Sequence, residues 1–460
     1  MGAVERYDAI IIGSGQGGNP LARAFASAGW KTALVEREHV GGTCVNVGCT
    51  PTKTMVASAR VAYLARRAGD FGVNTGSVSV DMAAVRQRKQ GIVDSWRASG
   101  ERRLRAAKVE LVMGTAEFAG PHTLKVALLG GGTRTMESER IFINTGAKSA
   151  LPELDGLSEV PFLDSTSIME LDTVPGHLLV LGGGYVAVEF GQMFRRFGSE
   201  VTIVQRHDRL LTREDADVAG ELAEILREDG VELLFESQAA RVAVTPGGAI
   251  QLDVSALDGG RSLAGTHLLV ATGRTPATES LNLAAAGLAV DKHGAIPVND
   301  RLETTVPGIW ALGDVKGGPA FTHLSYDDFR ILRTNLLAGG AAGVSGRLVP
   351  YTVFTDPQLG RIGLGEEEAK ARGLDIRVFK IPMDVSSRAL ELSEPRGLMK
   401  AVVDAKTDRI LGCAILGIEG GELTAALEIA MIGGVTASTL RETVFTHPTL
   451  AETFNTLFTE

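Results

Sequence analysis

The chain has 460 residues, more than one hydrophobic core usually organises, so two to four domains are expected. With 44% hydrophobic and 22% charged residues and no biased tract, the composition excludes a disordered or fibrous protein, and 46 basic against 55 acidic side chains (net −9) argue against nucleic acid and anionic lipid as partners. No apolar run is long enough to span a bilayer and no signal-like segment opens the chain, so a cytoplasmic protein is expected, whose three cysteines stay reduced unless chemistry uses them.

Residues 4–36 read as strand, glycine turn, helix and strand. The run Asp8-Ala9-Ile10-Ile11-Ile12 is short, β-branched and closed by Gly13, residues 21–28 are alanine-rich and end at Gly29, and a second strand at 32–35 ends in an acid. Between them Gly13-Ser14-Gly15-Gln16-Gly17-Gly18 fits G-x-G-x-x-G. Gly13 permits the tight turn, Gly15 lets backbone approach a pyrophosphate, Gly18 lets helix and strand pack closely, and the helix N-terminus faces the phosphates. Glu36 lies where a carboxylate accepts from a ribose hydroxyl, so an adenine dinucleotide is expected here rather than an ordinary glycine-rich turn.

Two cysteines follow in Gly41-Gly42-Thr43-Cys44-Val45-Asn46-Val47-Gly48-Cys49-Thr50-Pro51-Thr52-Lys53. Positions five apart in a regular helix are separated by about 7.5 Å along the axis, beyond the usual reach of a disulfide, so bonding requires Gly48 to help distort the backbone. Thr50 and Pro51 read as N-cap and first helical position, which places Cys49 just ahead of a helix N-terminus that favours thiolate, with Lys53 one turn in. Buried structural cysteines and a zinc half-site are the competing readings. No Cys or His cluster lies nearby to complete a zinc site, and redox chemistry is preferred, with no structural metal.

After β-rich stretches at 109–118, 123–127 and 141–144, the same grammar returns at 177–205: a strand at 178–181, Gly182-Gly183-Gly184-Tyr185-Val186-Ala187 as G-x-G-x-x-A, a helix through Phe197 carrying Glu189, and a strand at 201–204. The ribose-reading position then holds Gln205, not an acid, and Arg206, His207 and Arg209 follow. A carboxylate there would repel a 2′-phosphate; its absence beside two arginines favours NADPH, with NADH and a merely solvated basic turn as alternatives. Strands at 252–254 and 267–271 complete this unit. From about residue 348 the pattern becomes strands at 353–354, 361–364, 377–382, 398–404 and 410–417 with helices near 422–432 and 449–457, a separate α+β domain. Cys413, within an apolar strand, reads as a buried small hydrophobe.

The GGTCxNxGCxPxK stretch and GGGYVAVEF resemble the class I pyridine nucleotide-disulfide oxidoreductases, which include glutathione reductase, dihydrolipoamide dehydrogenase, mercuric reductase and a reactive-chlorine-resistance flavoprotein, and the resemblance covers essentially the whole chain. It implies an α/β fold of two Rossmann-like nucleotide-binding domains plus a C-terminal α+β dimerisation domain: FAD at 1–150 and again at 272–345, NAD(P)H at 151–271, and the interface of a homodimer at 346–460. Cys44 would meet the acceptor and Cys49 the flavin, Lys53 would pair with Glu189 beside flavin N5, and Tyr185 would cover the nicotinamide pocket. Gly42, Thr43, Thr145, Gly146, Gly273, Arg274, Gly313 and Asp314 would join the two glycine turns around the cofactors, Asp314 accepting from a ribityl hydroxyl. Thr446-His447-Pro448-Thr449-Leu450-Ala451-Glu452 resembles the HPTxxE segment, in which the glutamate orients a histidine that manages protons at the partner subunit's cysteines. Phe321-Thr322-His323 resembles the reactive-chlorine-resistance branch; His323 is either a polar group near the flavin or a helix-start residue.

The expected reaction passes electrons from NADPH through FAD and Cys44-Cys49 to a disulfide or to a metal ion, Hg(II) or Cu(II), held as substrate by the two thiols. Mercuric reductases carry a C-terminal cysteine pair, and this sequence finishes Leu457-Phe458-Thr459-Glu460, which argues against efficient mercury reduction. A glutathione-type reductase, with Arg23 facing a substrate carboxylate, a transhydrogenase or oxidase that bypasses the thiols, and a redox-sensing FAD protein are the alternatives.

Overall fold

A computed structural model describes residues 4–255 and 259–459 and divides the chain into two units. Glu460 lies outside the described residues. The first unit comprises Met1–Thr54, Arg86–Ala150 and Gly273–Arg347; the second comprises Met55–Val85, Leu151–Thr272 and Leu348–Glu460. One boundary falls inside the 18-residue helix Cys49–Arg66, so residues 55–85, expected within the first nucleotide-binding domain, are grouped with the second unit.

The first unit is built on an eight-stranded sheet, in the order Val4–Arg6, Thr133–Glu137, Thr123–Leu128, Glu110–Gly120, Thr32–Glu36, Ala9–Ile12, Ile141–Ile143, Ile309–Ala311. The strands from Glu110–Gly120 to Ile309–Ala311 are parallel, and hairpins extend the sheet beyond Glu110–Gly120. Ala9–Ile12 lies centrally, and its alternating side chains feed two cores: Ile10 and Ile12 pack with Val35 and Ile143, Ala9 and Ile11 with Leu21, Phe25 and Leu34. Burial on both faces is why this run is continuously apolar. The helices Gly18–Ser27 and Thr322–Leu337 pack together on one face.

In the second unit a parallel sheet (Glu232–Leu234, Glu200–Val204, His177–Leu181, His267–Val270) carries the second glycine turn. The expected strand at 252–254 belongs instead to a separate antiparallel sheet, Gln238–Val244, Ile250–Ser255 and Arg261–Gly265. The C-terminal part is a five-stranded antiparallel sheet, Tyr351–Val353, Gln358–Gly363, Ile410–Gly417, Leu398–Asp404, Ile376–Pro382, with the helix Gly420–Ile432. The helices Met82–Ala106 and Ala216–Glu228 were not singled out from sequence; the former has a weak apolar pattern, the latter buries Val218, Leu222, Ile225 and Leu226 at helical spacing. The helix expected at 449–457 is confined to Thr453–Leu457, because residues 447–452 form turns. Among the described residues no helix is long and apolar enough to cross a membrane.

Candidate functional site

Three separated segments converge on the first glycine turn. Gly13 has φ +100, and a Cβ there would stand 2.3 Å from the Asn144 carbonyl oxygen; one on Gly18 would stand 2.1 Å from the Gly13 oxygen. The backbone crossing is therefore too close for any side chain. Asn144, buried, donates from Nδ2 to the Gly13 oxygen at 3.3 Å and lies beneath Gly15 and Gly18. Gly313 packs against Asn144 and Ser325, and Ser325 also closes on Gly17, which brings the Gly313-Asp314 loop to the first turn. Glu36 sits at the strand end as expected: its Oε2 accepts from the Ser14 amide at 3.0 Å and the Ser14 hydroxyl at 2.6 Å, and that hydroxyl accepts from the Gly41 amide at 3.0 Å. Asn144, Ser14 and Ser325 were missed from sequence, since a small polar residue beside a glycine turn is legible only once its partner is known.

Asp314 lies in the 3₁₀ turn Gly313–Lys316, where burial pushes its carboxyl above the ordinary range against the pull of Arg274 and Lys316. Asp328, fully buried, accepts from the Gly313 amide at 2.8 Å and pairs with Arg347 and Lys316, so it fixes the loop that presents Asp314. Thr145 donates to the Ala277 carbonyl at 2.8 Å, and Gly146 adopts φ +73 with open space where a Cβ would point. Arg274, after Gly273 at φ +135, donates to the Ala147 carbonyl at 2.6 Å. This set fits an adenine dinucleotide: a turn with no Cβ to block approach, a carboxylate at the end of the next strand, and a half-buried acid that a hydroxyl donor would satisfy.

The cysteines stand beside this site. A Cβ on Gly42 would be 2.6 Å from the Gly15 Cα, so the cysteine segment leans directly on the first turn. The short helix Gly42–Asn46, holding Thr43 and Cys44, breaks at Val47 and Gly48, and a new helix begins at Cys49. Cys49 is thus the first helical residue rather than the residue ahead of the helix, because the Gly48 carbonyl already accepts from the Thr52 amide at 3.1 Å. The break replaces the axial separation of a regular helix with contact between the two sulfurs: Cys44 is hydrogen-bonded to Cys49, and Cys49 Sγ lies 3.3 Å from the Thr322 hydroxyl. The neighbouring Cys49 sulfur and burial hold the Cys44 thiol far above its ordinary range, while Thr322 and Lys53 favour its thiolate. Two adjacent thiols cannot both ionise cheaply, so the first negative charge belongs on Cys49, at the helix N-terminus. His323 is exposed and stacks on Phe321, with ring centroids 5.4 Å apart. Cys413 is buried, as expected, and burial pushes its thiol up to about 12.

In the second unit Gly182 has φ +108, and a Cβ there would meet the Ala271 oxygen at 2.5 Å, whereas the Cβ direction of Gly184 is open. Tyr185 begins the helix Tyr185–Phe197 with 39% of its surface exposed. Gln205 is buried against Gly183 and donates to the Arg209 carbonyl at 3.0 Å. Arg206 is exposed, its Nε 3.2 Å from His207 Nε2, but Arg209 is paired with Glu367. Glu189 is buried and its carboxylate accepts from the Phe354 amide at 2.8 Å. His447 directs Nδ1 at the Glu452 carboxylate, 2.9 and 3.1 Å away, and its ring is exposed.

A model of the pyridine nucleotide-disulphide oxidoreductase family matches residues 7–328, and one of its dimerisation domain matches 349–458. The chain is 40% identical over 460 residues to the probable pyridine nucleotide-disulfide oxidoreductase RclA of Escherichia coli K12, covering 99% of each. It is 36% identical over 449 residues to a mercuric reductase of Bacillus cereus, covering 97% of this chain and 70% of that one. The solved Cu(II) complex of the HOCl-induced flavoprotein disulfide reductase RclA from Escherichia coli aligns with a TM-score of 0.90 at 40% identity, covering 99% of both chains.

Proposed function

Because this chain belongs to the pyridine nucleotide-disulphide oxidoreductase family, whose members are FAD-dependent enzymes using a pyridine nucleotide, we propose that it is a disulfide reductase that cycles Cys44 and Cys49 between disulfide and dithiol. The observation that carries this reading is the contact of the two sulfurs at a helix N-terminus, in the unit that holds the first glycine turn. Gly13, Gly15, Gly18, Glu36, Gly42, Thr43, Thr145, Gly146, Gly313 and Asp314 would hold FAD, which when bound supplies the relay between the pyridine nucleotide and the thiols. Gly182, Gly184 and Tyr185 would hold the pyridine nucleotide, with the exposed Arg206 favouring NADPH.

Two electrons and two protons open the Cys44-Cys49 bond. Cys44, giving its proton to His447 as it attacks, then opens an acceptor disulfide, and the departing thiolate takes that proton. Cys49 displaces the second product and re-forms the internal disulfide, so atoms and charge balance over the cycle. His447 supplies and receives the proton: with Nδ1 committed to Glu452, its Nε2 is the nitrogen left to face a sulfur, contributed by the other subunit of a homodimer. Lys53 and Glu189 would tune the flavin.

A Cu(II) ion is the second acceptor we propose. Cys49 is exposed and Cys44 partly so, which leaves the two thiols open to a soft metal ion, and the similar Escherichia coli protein has been solved as a Cu(II) complex. Anaerobic two-electron reduction of the holoenzyme is expected to produce a long-wavelength thiolate-to-flavin band; Cys49→Ser lacks it, whereas Cys44→Ser, with no disulfide to reduce, shows it already while the flavin is oxidised. Full disulfide and Cu(II) turnover by Cys44→Ser would sink the mechanism in favour of a thiol-independent flavin oxidase.

A further inference from the structure

Of the two arginines nearest Gln205 in the loop after Glu200–Val204, Arg206 and Arg209, only Arg206 is without an acidic side-chain partner among the described residues. Arg209 places Nη1 and Nη2 at 3.3 and 3.5 Å from the two carboxylate oxygens of Glu367, a fork-to-fork pair. Glu367 is itself fixed: its Oε1 accepts from the Ala216 amide at 3.0 Å, at the start of the helix Ala216–Glu228, and its own amide donates to Asp215 at 3.0 Å. The loop backbone is tied down as well, by Gln205 on the Arg209 carbonyl at 3.0 Å and by the Leu211 amide on the Gly183 carbonyl at 2.9 Å. Arg206, by contrast, is exposed and its recorded side-chain partner is neutral or basic, His207 at 3.2 Å.

From this arrangement we propose that Glu367 determines cofactor selectivity by sequestering Arg209, so that a 2′-phosphate is read by Arg206 and His207 without Arg209. The proposal rests on the second glycine turn being the pyridine-nucleotide site. Glu367 lies in the helix Glu366–Ala371, outside the nucleotide-binding motif, and acts through Arg209; it is a positioning residue. Its contacts are with Arg209, the Ala216 amide and Asp215, so its effect is expected at the 2′ position. NADH binding is therefore insensitive to it.

The test is direct binding of 2′,5′-ADP and 5′-AMP to the holoenzyme by titration calorimetry, together with kcat/KM for NADPH and NADH. Glu367→Gln keeps an oxygen for the Ala216 amide while removing the charge that holds Arg209. It is expected to tighten 2′,5′-ADP by about three- to ten-fold, the scale of one charge-assisted contact at a partly exposed site, with 5′-AMP unchanged. Arg209→Ala is expected to leave the ratio of the two affinities within two-fold of the parent, whereas Arg206→Ala lowers it about ten-fold or more. The double variant Glu367→Gln/Arg209→Ala should lose the gain, which separates release of Arg209 from a general change in loop charge. Selectivity unmoved by Glu367→Gln, or lowered as much by Arg209→Ala as by Arg206→Ala, overturns the proposal. Failure of the unaltered protein to bind either nucleotide instead brings down the reading of the second glycine turn, and the proposal with it.

Discussion

A methyl group at position 48 is enough to disturb the dithiol. The Cβ of an alanine there would stand 2.8 Å from the Thr43 carbonyl oxygen and 3.3 Å from the Cys44 Cα, both backbone atoms of the short helix that must fold back onto Cys49. Gly48→Ala is thus expected to push the two sulfurs apart and to cost roughly 1–3 kcal/mol, as overpacking against backbone does. Thiol titration of the native protein checks it. The reduced parent should show two reactive thiols that vanish after one equivalent of oxidant, while Gly48→Ala retains both. Cys413 serves as the internal reference, silent until denaturation because burial pushes it up to about 12. At this scale the glycines of both turns, Cys44, Cys49 and the His447-Glu452 pair were legible in sequence, since each is a local pattern whose chemistry requires its spacing. Asn144, Ser325 and Asp328 were not: the first two fill the space beside a glycine of another segment, and Asp328 accepts from the Gly313 amide.

At the scale of elements, a buried lysine joins the dimerisation sheet to the start of the helix Ala216–Glu228 within the second unit. Lys400, on the strand Leu398–Asp404, reaches Asp215 at 3.1 Å, Asp217 at 2.9 Å and Glu366 at 2.6 Å. Burial works against its charge, but the three carboxylates hold its pKa above the ordinary lysine range. Burial also works against Asp215 and Asp217; hydrogen bonds from the Glu367 and Glu366 amides and from Lys400 to the first, and from Lys400 and Lys380 to the second, hold both below the ordinary carboxylate range. Depressed carboxylates contribute stability that is present above their unfolded pKa near 4 and is lost as the pH falls through the folded values. Lys400, raised, contributes fully below its unfolded pKa of about 10.4 and loses that contribution only as the pH rises beyond it. Lys400→Met should therefore cost about 3 kcal/mol at pH 7, the scale for stranding buried charges, and the gap from the parent should narrow as the pH falls below about 4. Denaturant unfolding across that range measures it, and a gap independent of pH would show that the lysine acts by packing alone. The expected strands at 398–404 and 410–417 coincide with the observed ones because short apolar runs set them, whereas the helix expected at 449–457 failed because Glu452 turns back to His447.

For the whole molecule, the helix Gly420–Ile432 leaves Ile429 and Ile432 72% and 71% exposed, three residues apart on one face, in the domain that matches a dimerisation family. Burying that face against a second copy is the economical explanation of two bare isoleucines. Ile429→Asp/Ile432→Asp is predicted to sediment as a monomer and to lose disulfide turnover at least ten-fold, with the reductive half-reaction preserved, if His447 serves the partner's cysteines. A fully active monomer would place the proton chemistry within one chain.

By itself the sequence determined the family and the α/β fold, and it located the two glycine turns, the Cys44-Cys49 pair and the His447-Glu452 pair. Tight turns, close backbone approach and nucleophile spacing are demands that a dozen neighbouring residues must satisfy together, so they leave local signatures. Only the tertiary structure decided that Gly48, not Thr50, opens the cysteine helix, that Asn144 and Ser325 gather the turns, and that Arg209 belongs to Glu367, 158 residues away, instead of standing ready for a phosphate. Which partner satisfies a charge is settled by the packing of distant segments, and no spacing within the loop records it.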